Sequence, residues 1–258
     1  MDGGSVTTGG WPALLRSRQR AWAVVAAVCV LGAPAAAAGV PVGSAAAQED
    51  NAPAVATSGP VLKSGSSGPE VAALQDRLTA LGYDPGAVDG SFGEATRFAV
   101  IGFQKVQGFD PTGSVGDAER AALASPVVPQ PLRPDGGPDR VEVDLPHQLL
   151  YLYKGGQLGL ISHVSTGNGE HFCVDNDCRD AITPVGDWKF QWFVPGWDHG
   201  PLGDLYNAVY FTSTGVAIHG SPSVPLYPAS HGCVRIPMHT AEWFPNVVSL
   251  GEPVYVVG

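Results

Sequence analysis

Positive charge is scarce in this sequence, and charge of either sign is sparse. Lysine and arginine number 14 against 24 aspartate and glutamate residues, so the formal net charge is −10 at pH 7. An acidic surface of this kind repels a phosphate backbone. The sequence also contains no basic stripe, zinc-finger spacing or glycine-rich phosphate loop. We therefore expect no nucleic-acid partner and attribute the acidity mainly to solubility.

Long helices are not expected either, because glycine and proline are abundant. The 258 residues include 34 glycines and 23 prolines, a composition typical of turns, short strands and linkers. A chain of this length can form two modest domains, each with its own hydrophobic core.

The N-terminal residues have the pattern of an export signal. Three arginines at positions 16, 18 and 20 precede an apolar run over residues 21–31, and tracts of small residues end at residue 47. We interpret residues 1–47 as a cleaved export signal. The alternative is an uncleaved membrane anchor, since residues 21–44 carry no charge. Apart from such an anchor, no membrane contact is expected.

Cysteine is rare, and export would change how the four cysteines are used. Cleavage of the signal removes Cys29 and leaves three cysteines in an oxidising compartment, where neighbouring cysteines tend to pair. Cys173 and Cys178 bracket the short polar segment VDND, so we expect a small loop closed by a disulfide between them. Cys233 is then left as a free, reactive thiol.

Two regions of the chain differ in hydrophobic period, and a linker precedes each. Residues 48–59 are rich in alanine, proline and serine, which predicts a flexible linker. Residues 60–125 have apolar residues at helical spacing and predict a small, all-α domain of three helices. Residues 126–138 form a second linker rich in proline and glycine. Residues 139–258 alternate with a period near two and predict a β-rich, sandwich or barrel-like domain with one short helix.

The individual elements follow from these periods. The predicted helices cover residues 68–82, 94–107, 117–124 and 240–247. The predicted strands include a hairpin, 149–153 and 158–165, that turns at Gly155 and Gly156. Further strands are predicted over residues 187–194, 208–212, 215–218 and 253–257.

The stretch 219–237, HGSPSVPLYPASHGCVRIP, holds Cys233 and leaves three interpretations open. A structural thiol usually lies in an apolar run, which is not the case here. A zinc site could use His219, His231 and Cys233 and keep one open position. A nucleophile needs a base for the thiol and backbone N–H groups for an oxyanion. The stretch supplies both, so its local chemistry favours the nucleophile without removing the other two.

Residues 60–125 resemble the type 1 peptidoglycan-binding domain. The resemblance is carried by LKSGSSGPEVAALQDRLTALGY, VDGSFGEATRFAVIGFQKVQG and TGSVGDAERAAL. It implies that this domain binds cell-wall glycan or stem peptide, although no single residue can be named as a ligand contact.

The second region resembles the L,D-transpeptidase catalytic domain (YkuD type) over residues 138–258. The matching motifs are VDLPHQLLYLY, the turn TPVG, the strand GVAIHG and the segment SHGCVRI. The resemblance implies that Cys233 is the nucleophile and His219 the general base and acid. It further implies that the backbone carbonyl of Gly220 orients the imidazole.

The resemblance leaves four further residues with expected roles near the thiol. Ser230, His231 and Gly232 are expected to shape the catalytic loop and its oxyanion site. His231 is also a possible base, but we favour His219, because residues two apart on an extended chain lie several ångströms from each other. Arg235 either binds a substrate carboxylate, which suits a guanidinium, or braces the loop by hydrogen bonds.

The implied function is that of an exported enzyme located in the cell wall, the periplasmic space or outside the cell. Its partners are donor and acceptor stem peptides of peptidoglycan, which it joins through 3–3 cross-links with release of D-alanine. The alternatives are an L,D-carboxypeptidase with the same acyl-enzyme, transfer to a protein amine, and an idle wall-binding protein. No metal or organic cofactor is expected, and a monomer is the default.

Two segments depart from the usual pattern of the catalytic domain. Residues 168–181 insert a polar loop that carries both cysteines of the expected disulfide, and residues 195–206 are longer than a minimal turn. Either segment could cover the active site, with Trp197 as part of a lid, or be decoration without a role in substrate binding.

Overall fold

The computed structural model describes residues 55–258, so the predicted export signal and residues 48–54 of the first linker lie outside the described residues. A helical region is followed by a β-rich region, which confirms the predicted order of the two halves. Within the described range, no helix has the length and apolar character needed to cross a membrane.

The elements, in chain order, are helices α1 (Pro69–Ala80), α2 (Glu94–Gln107) and α3 (Asp117–Ala124), strands β1 (Arg140–Asp144), β2 (Leu149–Lys154), β3 (Gln157–His163), β4 (His171–Val174), β5 (Asp177–Asp180), β6 (Gly186–Lys189), β7 (Trp192–Gly200), β8 (Gly203–Tyr210), β9 (Ala217–Ser221) and β10 (Val234–Pro237), helix α4 (Met238–Ala241), a 3-10 turn (Phe244–Asn246) and strand β11 (Pro253–Val257).

Local sequence signals explain where the helices begin and end. Helix α1 begins at Pro69, whose fixed φ suits the first turn and whose missing N–H has no helical partner to lose. Helix α2 ends at Gly108, which adopts the left-handed φ of 75° that is common at a helix C-terminus. Before α3, the Gly116 N–H donates to Glu119 Oε2 at 2.9 Å and so caps the first turn.

Two sheets packed face to face form the β-rich half. The five-stranded sheet has the order β3-β2-β1-β11-β6, and the four-stranded sheet has the order β10-β9-β8-β7. Val143 and Leu152 from the first sheet and Ile218 and Ile236 from the second meet in one buried core. Of the two predicted architectures, the structure therefore has the sandwich.

Strand β2 is buried on both faces, which explains why LLYLY shows no polar alternation. Leu150 and Leu152 enter the core between the sheets. Leu149, Tyr151 and Tyr153 point the opposite way and pack in a second core with residues of the helical region. The two halves consequently share a hydrophobic core.

Two predicted elements are wrong in their extent. The strand predicted over 187–194 is split, because the chain leaves one sheet at Lys189 and enters the other at Trp192. The intervening Phe190 is buried, and its N–H donates to Glu252 O. The helix predicted over 240–247 is replaced by the short α4 and a 3-10 turn, and Pro245 in that turn has no N–H for a regular α-helix.

Sequence periodicity also missed several strands or misplaced their ends. The strand predicted over 215–218 lies at β9, two residues later, because Gly215 is in a turn with a φ of 88°. Strand β10 is too short to show a period. Strands β4 and β5 form a separate two-stranded sheet inside the segment predicted as a polar loop.

Polar contacts reinforce the shared core between the two halves. The carboxylate of Asp84, after α1, is buried and accepts hydrogen bonds from Thr240 Oγ1 and Trp243 Nε1, both at 2.9 Å. The backbone carbonyl of Asp84 lies 3.0 Å from His239 Nε2. Because these partners belong to the α4 region, the helical half is tied directly to the segment that supports the four-stranded sheet.

A buried lysine–histidine pair lies in the same interface. His163 Nε2 is 3.1 Å from the Val224 carbonyl, so this nitrogen donates, and Nδ1 accepts from Lys105 Nζ at 3.0 Å. Burial, with the nearby Lys105 charge, lowers the pKa of His163 to about 4. Burial likewise lowers the pKa of Lys105 to about 8. His163 is thus neutral throughout the physiological range.

This pair predicts a specific loss of stability in acid. The folded pKa of His163, about 4, lies below its unfolded value of about 6.5, so the unfolded chain binds more protons between these pH values. From pH 6.5 to pH 5, we expect His163 to remove about 1.6 kcal/mol from the free energy of unfolding. Urea unfolding at several pH values measures this change in the free energy of unfolding. The variant His163→Gln keeps one donor and one acceptor without titrating, and its pH slope should be shallower.

The control is His231→Gln, since His231 is exposed and no carboxylate of the described chain lies within ion-pair distance of it. Its pH slope should match that of the unaltered protein. Equal slopes for His163→Gln and the unaltered protein would contradict the assignment of a neutral, buried His163.

Candidate active site

The parallel pair β9–β10 brings the predicted catalytic residues to one face of a sheet. In its register, Val234 lies opposite Ile218 and Arg235 opposite His219. Ile218 and Val234 point into the core between the sheets. Because side chains alternate along a strand, His219 and Arg235 point away from the core, as does Cys233, two residues before Arg235. All three line a cavity of about 560 Å³.

His219 is held by the backbone of the next residue. Its Nδ1 donates to the Gly220 carbonyl at 2.9 Å, which leaves Nε2 with a free lone pair. The histidine is buried, and burial lowers its pKa to about 4, with a further contribution from the Arg235 charge. The imidazole is therefore neutral near pH 7 and can accept a proton at Nε2.

Close packing requires glycine at position 220. A Cβ atom at Gly220 would lie 2.6 Å from Ala241 Cβ in α4 and 3.2 Å from the Tyr206 ring. Helix α4 therefore packs directly on the backbone that holds His219. This close approach explains how a short helix after β10 contributes to the orientation of the imidazole.

Hydrogen bonds within the loop before β10 set its shape. Ser230 Oγ donates to the Cys233 carbonyl at 2.5 Å and accepts from the Gly232 N–H at 3.0 Å. The Gly232 carbonyl accepts from Thr183 Oγ1 at 2.7 Å. Gly232 has a φ of 127°, which favours glycine. Ser230 and Gly232 thus shape the loop, but the Gly232 N–H is directed at Ser230, which revises its expected place in the oxyanion site.

The Cys233 thiol is half-buried and has no disulfide partner. Burial raises its pKa, and a hydrogen bond from the backbone at Ala217 and the charges of Arg235 and Arg179 act in the opposite direction. With the pKa of His219 lowered as well, the proton stays on sulfur near neutral pH. The thiol and the imidazole, which line the same cavity, are therefore both neutral at rest.

The side chains of His231 and Arg235 make no hydrogen bond to the loop that contains Cys233. His231 is exposed, and its ring packs edge-on against Phe172 with centroids 4.9 Å apart. Arg235 is half-buried, and within residues 55–258 its guanidinium takes part in no ion pair or side-chain hydrogen bond. Its backbone, rather than its side chain, braces the loop through two hydrogen bonds to Ser165.

The three ligands of the zinc alternative are not gathered around one point. Among the described residues, one group of three histidine, cysteine or acidic side chains comes close enough to share an ion: His171, Cys173 and Cys178. The two sulfurs of that group form a disulfide. A metal site built from His219, His231 and Cys233 is therefore not supported by their geometry.

Both segments that depart from the family pattern border the cavity. Residues 168–181 form the β4–β5 hairpin, in which Cys173 and Cys178 are directly opposite and joined by a disulfide. Residues 195–206 form the distal part of the β7–β8 hairpin, which is a paired ladder with a register shift between Val194 and Trp197 rather than an unpaired loop. Arg179 from one hairpin and Trp197 from the other line the cavity. The two hairpins are therefore walls of the site.

Some residues of the site were not found by sequence reasoning. Thr183 supports Gly232 through its hydroxyl, and the only signal for it was its place in the TPVG motif. Phe172 and Arg179 lie in the inserted segment, where no motif identifies them. Their positions depend on the pairing of β4 with β5. Short polar strands give no hydrophobic period from which that pairing could be predicted.

Comparison with known proteins agrees with this architecture. Residues 67–123 match the model of a putative peptidoglycan binding domain. Residues 138–256 match the model of the L,D-transpeptidase catalytic domain.

Two curated proteins share short stretches with this chain. One is a probable L,D-transpeptidase 3 of Mycobacterium tuberculosis, 40% identical over 53 residues, which are 19% of this chain and 20% of that protein. The other is a probable N-acetylmuramoyl-L-alanine amidase of Bacillus licheniformis, 39% identical over 71 residues, or 27% and 20% of the two chains. The chain thus matches about a fifth of the length of either relative.

A solved structure matches over a much larger share. The crystal structure of an L,D-transpeptidase from Xylanimonas cellulosilytica DSM 15894 is 37% identical, with a TM-score of 0.72. The match covers 78% of this chain and 98% of that one. On this similarity and the matching catalytic-domain model, the chain belongs to the L,D-transpeptidase family.

Proposed function

We propose that this protein is an exported cysteine acyltransferase that joins peptidoglycan stem peptides through 3–3 cross-links. The observation that carries the proposal is the common face of β9 and β10, where His219, with Nδ1 held by Gly220, lines the same cavity as Cys233. A free thiol and a fixed, neutral base in one cavity are the two groups that covalent acyl transfer requires.

In the first half of the reaction, Cys233 attacks the carbonyl of the third residue of a donor tetrapeptide stem. His219 Nε2 removes the thiol proton as the carbon–sulfur bond forms, and the carbonyl oxygen becomes an oxyanion. We assign the oxyanion contacts to the N–H groups of His231 and Cys233, because the Gly232 N–H already donates to Ser230 Oγ. Collapse breaks the peptide bond, and His219 protonates the leaving amine of D-alanine.

In the second half, an amine of an acceptor stem attacks the thioester. His219 removes a proton from the attacking nitrogen, a new peptide bond forms, and the Cys233 thiolate leaves and recovers its proton. No third buried charge takes part, because the group that orients His219 is a neutral carbonyl. The first half thus begins with a neutral thiol and a neutral imidazole and ends with the thioester and a neutral imidazole, and the second half restores the thiol.

Arg235 has a proposed role in substrate binding. Its side chain is half-buried at the cavity and braces nothing in the described part of the chain. A guanidinium without a partner suits a carboxylate of the stem peptide.

Location outside the cytoplasm is supported by two independent features. The N-terminal 47 residues have the pattern of an export signal. The disulfide between Cys173 and Cys178 is of a kind that persists in oxidising compartments. A domain that matches peptidoglycan-binding models would keep the enzyme near its substrate.

The decisive experiment reads the products directly. Purified murein is incubated with the protein and digested, and the muropeptides are identified by mass. Transfer predicts dimers joined through third residues, and Cys233→Ala should abolish them. Tripeptides without dimers would indicate an L,D-carboxypeptidase, and dimers formed by Cys233→Ala would disprove the nucleophile.

The same assay distinguishes the two histidines. Replacing His219 by glutamine removes the base, and we expect the rate to fall by about 10²- to 10⁴-fold. Replacing His231 by glutamine serves as the matched control and should change the rate by less than about tenfold, because its ring packs on Phe172. Equal losses in the two variants would contradict the assignment of His219.

The lowered pKa of His219 predicts the pH profile. Because the neutral imidazole is the base and its pKa is about 4, kcat/KM should stay constant from pH 7 to pH 5. Below about pH 4, it should fall by about tenfold for each pH unit. Circular dichroism at each pH separates this decline from unfolding.

Alkylation by iodoacetamide gives an independent measure of the resting state. Because burial raises the pKa of Cys233, alkylation should be slow at neutral pH and accelerate above the usual range of a thiol. An acid limb of kcat/KM near pH 6.5, or rapid alkylation at pH 6, would contradict the neutral pair.

A further inference from the structure

A disulfide and two further contacts join the two strands of the β4–β5 hairpin, which borders the cavity. Cys173 and Cys178 are opposite each other in the ladder and are joined by a disulfide. At the open end, His171 Nδ1 lies 2.9 Å from Asp180 Oδ1. Below that pair, the Ala181 N–H donates to the Glu170 carbonyl at 2.8 Å. An exposed hairpin of this kind can hold a side chain at a set position.

Arg179 is the side chain that this hairpin presents to the cavity. It lies opposite Phe172 in the ladder, and its guanidinium carbon is 5.5 Å from the centre of the Phe172 ring. The same ring packs edge-on against His231. Arg179 lines the cavity together with Cys233 and Arg235.

The charges around the cavity leave the two arginines without anionic partners. Of the acidic residues that line it, Asp180 is hydrogen-bonded to His171, and Asp204 lies 2.8 Å from His199 Nδ1. In the described chain, neither Arg179 nor Arg235 has a carboxylate within ion-pair distance. In a protein with a net charge of −10, two unpaired cations facing one cavity indicate an anionic ligand.

We propose that Arg179 is a substrate-binding residue that receives a free carboxylate of the donor stem peptide, with Arg235 as a second cation in the same cavity. This inference rests on the proposed function, since a stem peptide supplies the carboxylate. A planar guanidinium binds a carboxylate through two parallel hydrogen bonds, which gives direction as well as attraction. The carboxylate comes either from the terminal residue of the stem or from its third residue, where that residue carries one.

Binding to an inactive form tests the inference without turnover. In a Cys233→Ala background, isothermal titration measures the dissociation constant of a synthetic tetrapeptide donor. We expect Arg179→Gln to raise that constant by about tenfold, as for loss of a hydrogen bond to a charged group at an exposed site. Arg179→Lys should recover part of the loss, because it restores the charge without the planar geometry.

Matched donors identify which carboxylate is bound. One donor carries a terminal carboxamide, and the other carries an amide on the third residue. The donor whose amide replaces the bound carboxylate should bind more weakly to the protein with Arg179. Its affinity should not fall further when Arg179 is replaced by glutamine. The other amide should keep the full effect of Arg179→Gln. Additive losses with both amides would overturn the proposal.

The control variant is Lys189→Gln, which removes the same charge from an exposed residue of β6 that does not line the cavity. Equal binding by Arg179→Gln and Lys189→Gln would overturn the proposal. A double replacement, Cys173→Ser with Cys178→Ser, should weaken binding of the acid donor in the same direction as Arg179→Gln. A failure of the proposed function is distinguished from this one, because it appears in the products made from murein, either as tripeptides without dimers or as dimers formed by Cys233→Ala, and not in the binding of the donor.

Discussion

The parallel pairing of β9 with β10 is the constraint on which the rest of the site depends. Its register places His219 opposite Arg235 and sets which residues face the core and which face the cavity. A shift by one residue would exchange the two faces, turning His219 and Arg235 toward the core between the sheets and the apolar residues toward the cavity. The apolar residues Ile218 and Val234, which have no chemical role, therefore hold the reactive face in place by their burial.

The surroundings of this strand pair explain why the proposed chemistry needs no buried carboxylate. The Gly220 carbonyl fixes the tautomer of His219, and the Ser230 hydroxyl and Thr183 hydroxyl fix the loop before Cys233. All three are neutral groups in a buried region. A carboxylate there would carry a desolvation cost that only a positive partner or further hydrogen bonds could offset. Burial lowers the pKa of His219 and raises that of Cys233, so both groups are uncharged near neutral pH and the proton is on sulfur.

Sequence reasoning predicted those features that have a local signal. The helix bounds of α2 and α3 follow from glycine and periodicity, and the motifs around His219 and Cys233 identified the residues that meet at the cavity. Sequence reasoning failed where tertiary contacts determine the structure. The change of sheet between β6 and β7 depends on the burial of Phe190. The direction of the Gly232 N–H depends on a serine hydroxyl whose rotamer no sequence pattern reports.

The core shared by the helices and strand β2 has a mechanical consequence. Tyr151 and Tyr153 pack with residues of the helical half, and Asp84 is hydrogen-bonded to the α4 region. The linker over residues 126–138 is therefore spanned by direct contacts and cannot serve as a hinge. A polymer strand held on the helices would meet the cavity at one set distance and angle. Alignment with a second strand would then require rotation of the whole molecule, because the two halves cannot rotate relative to each other.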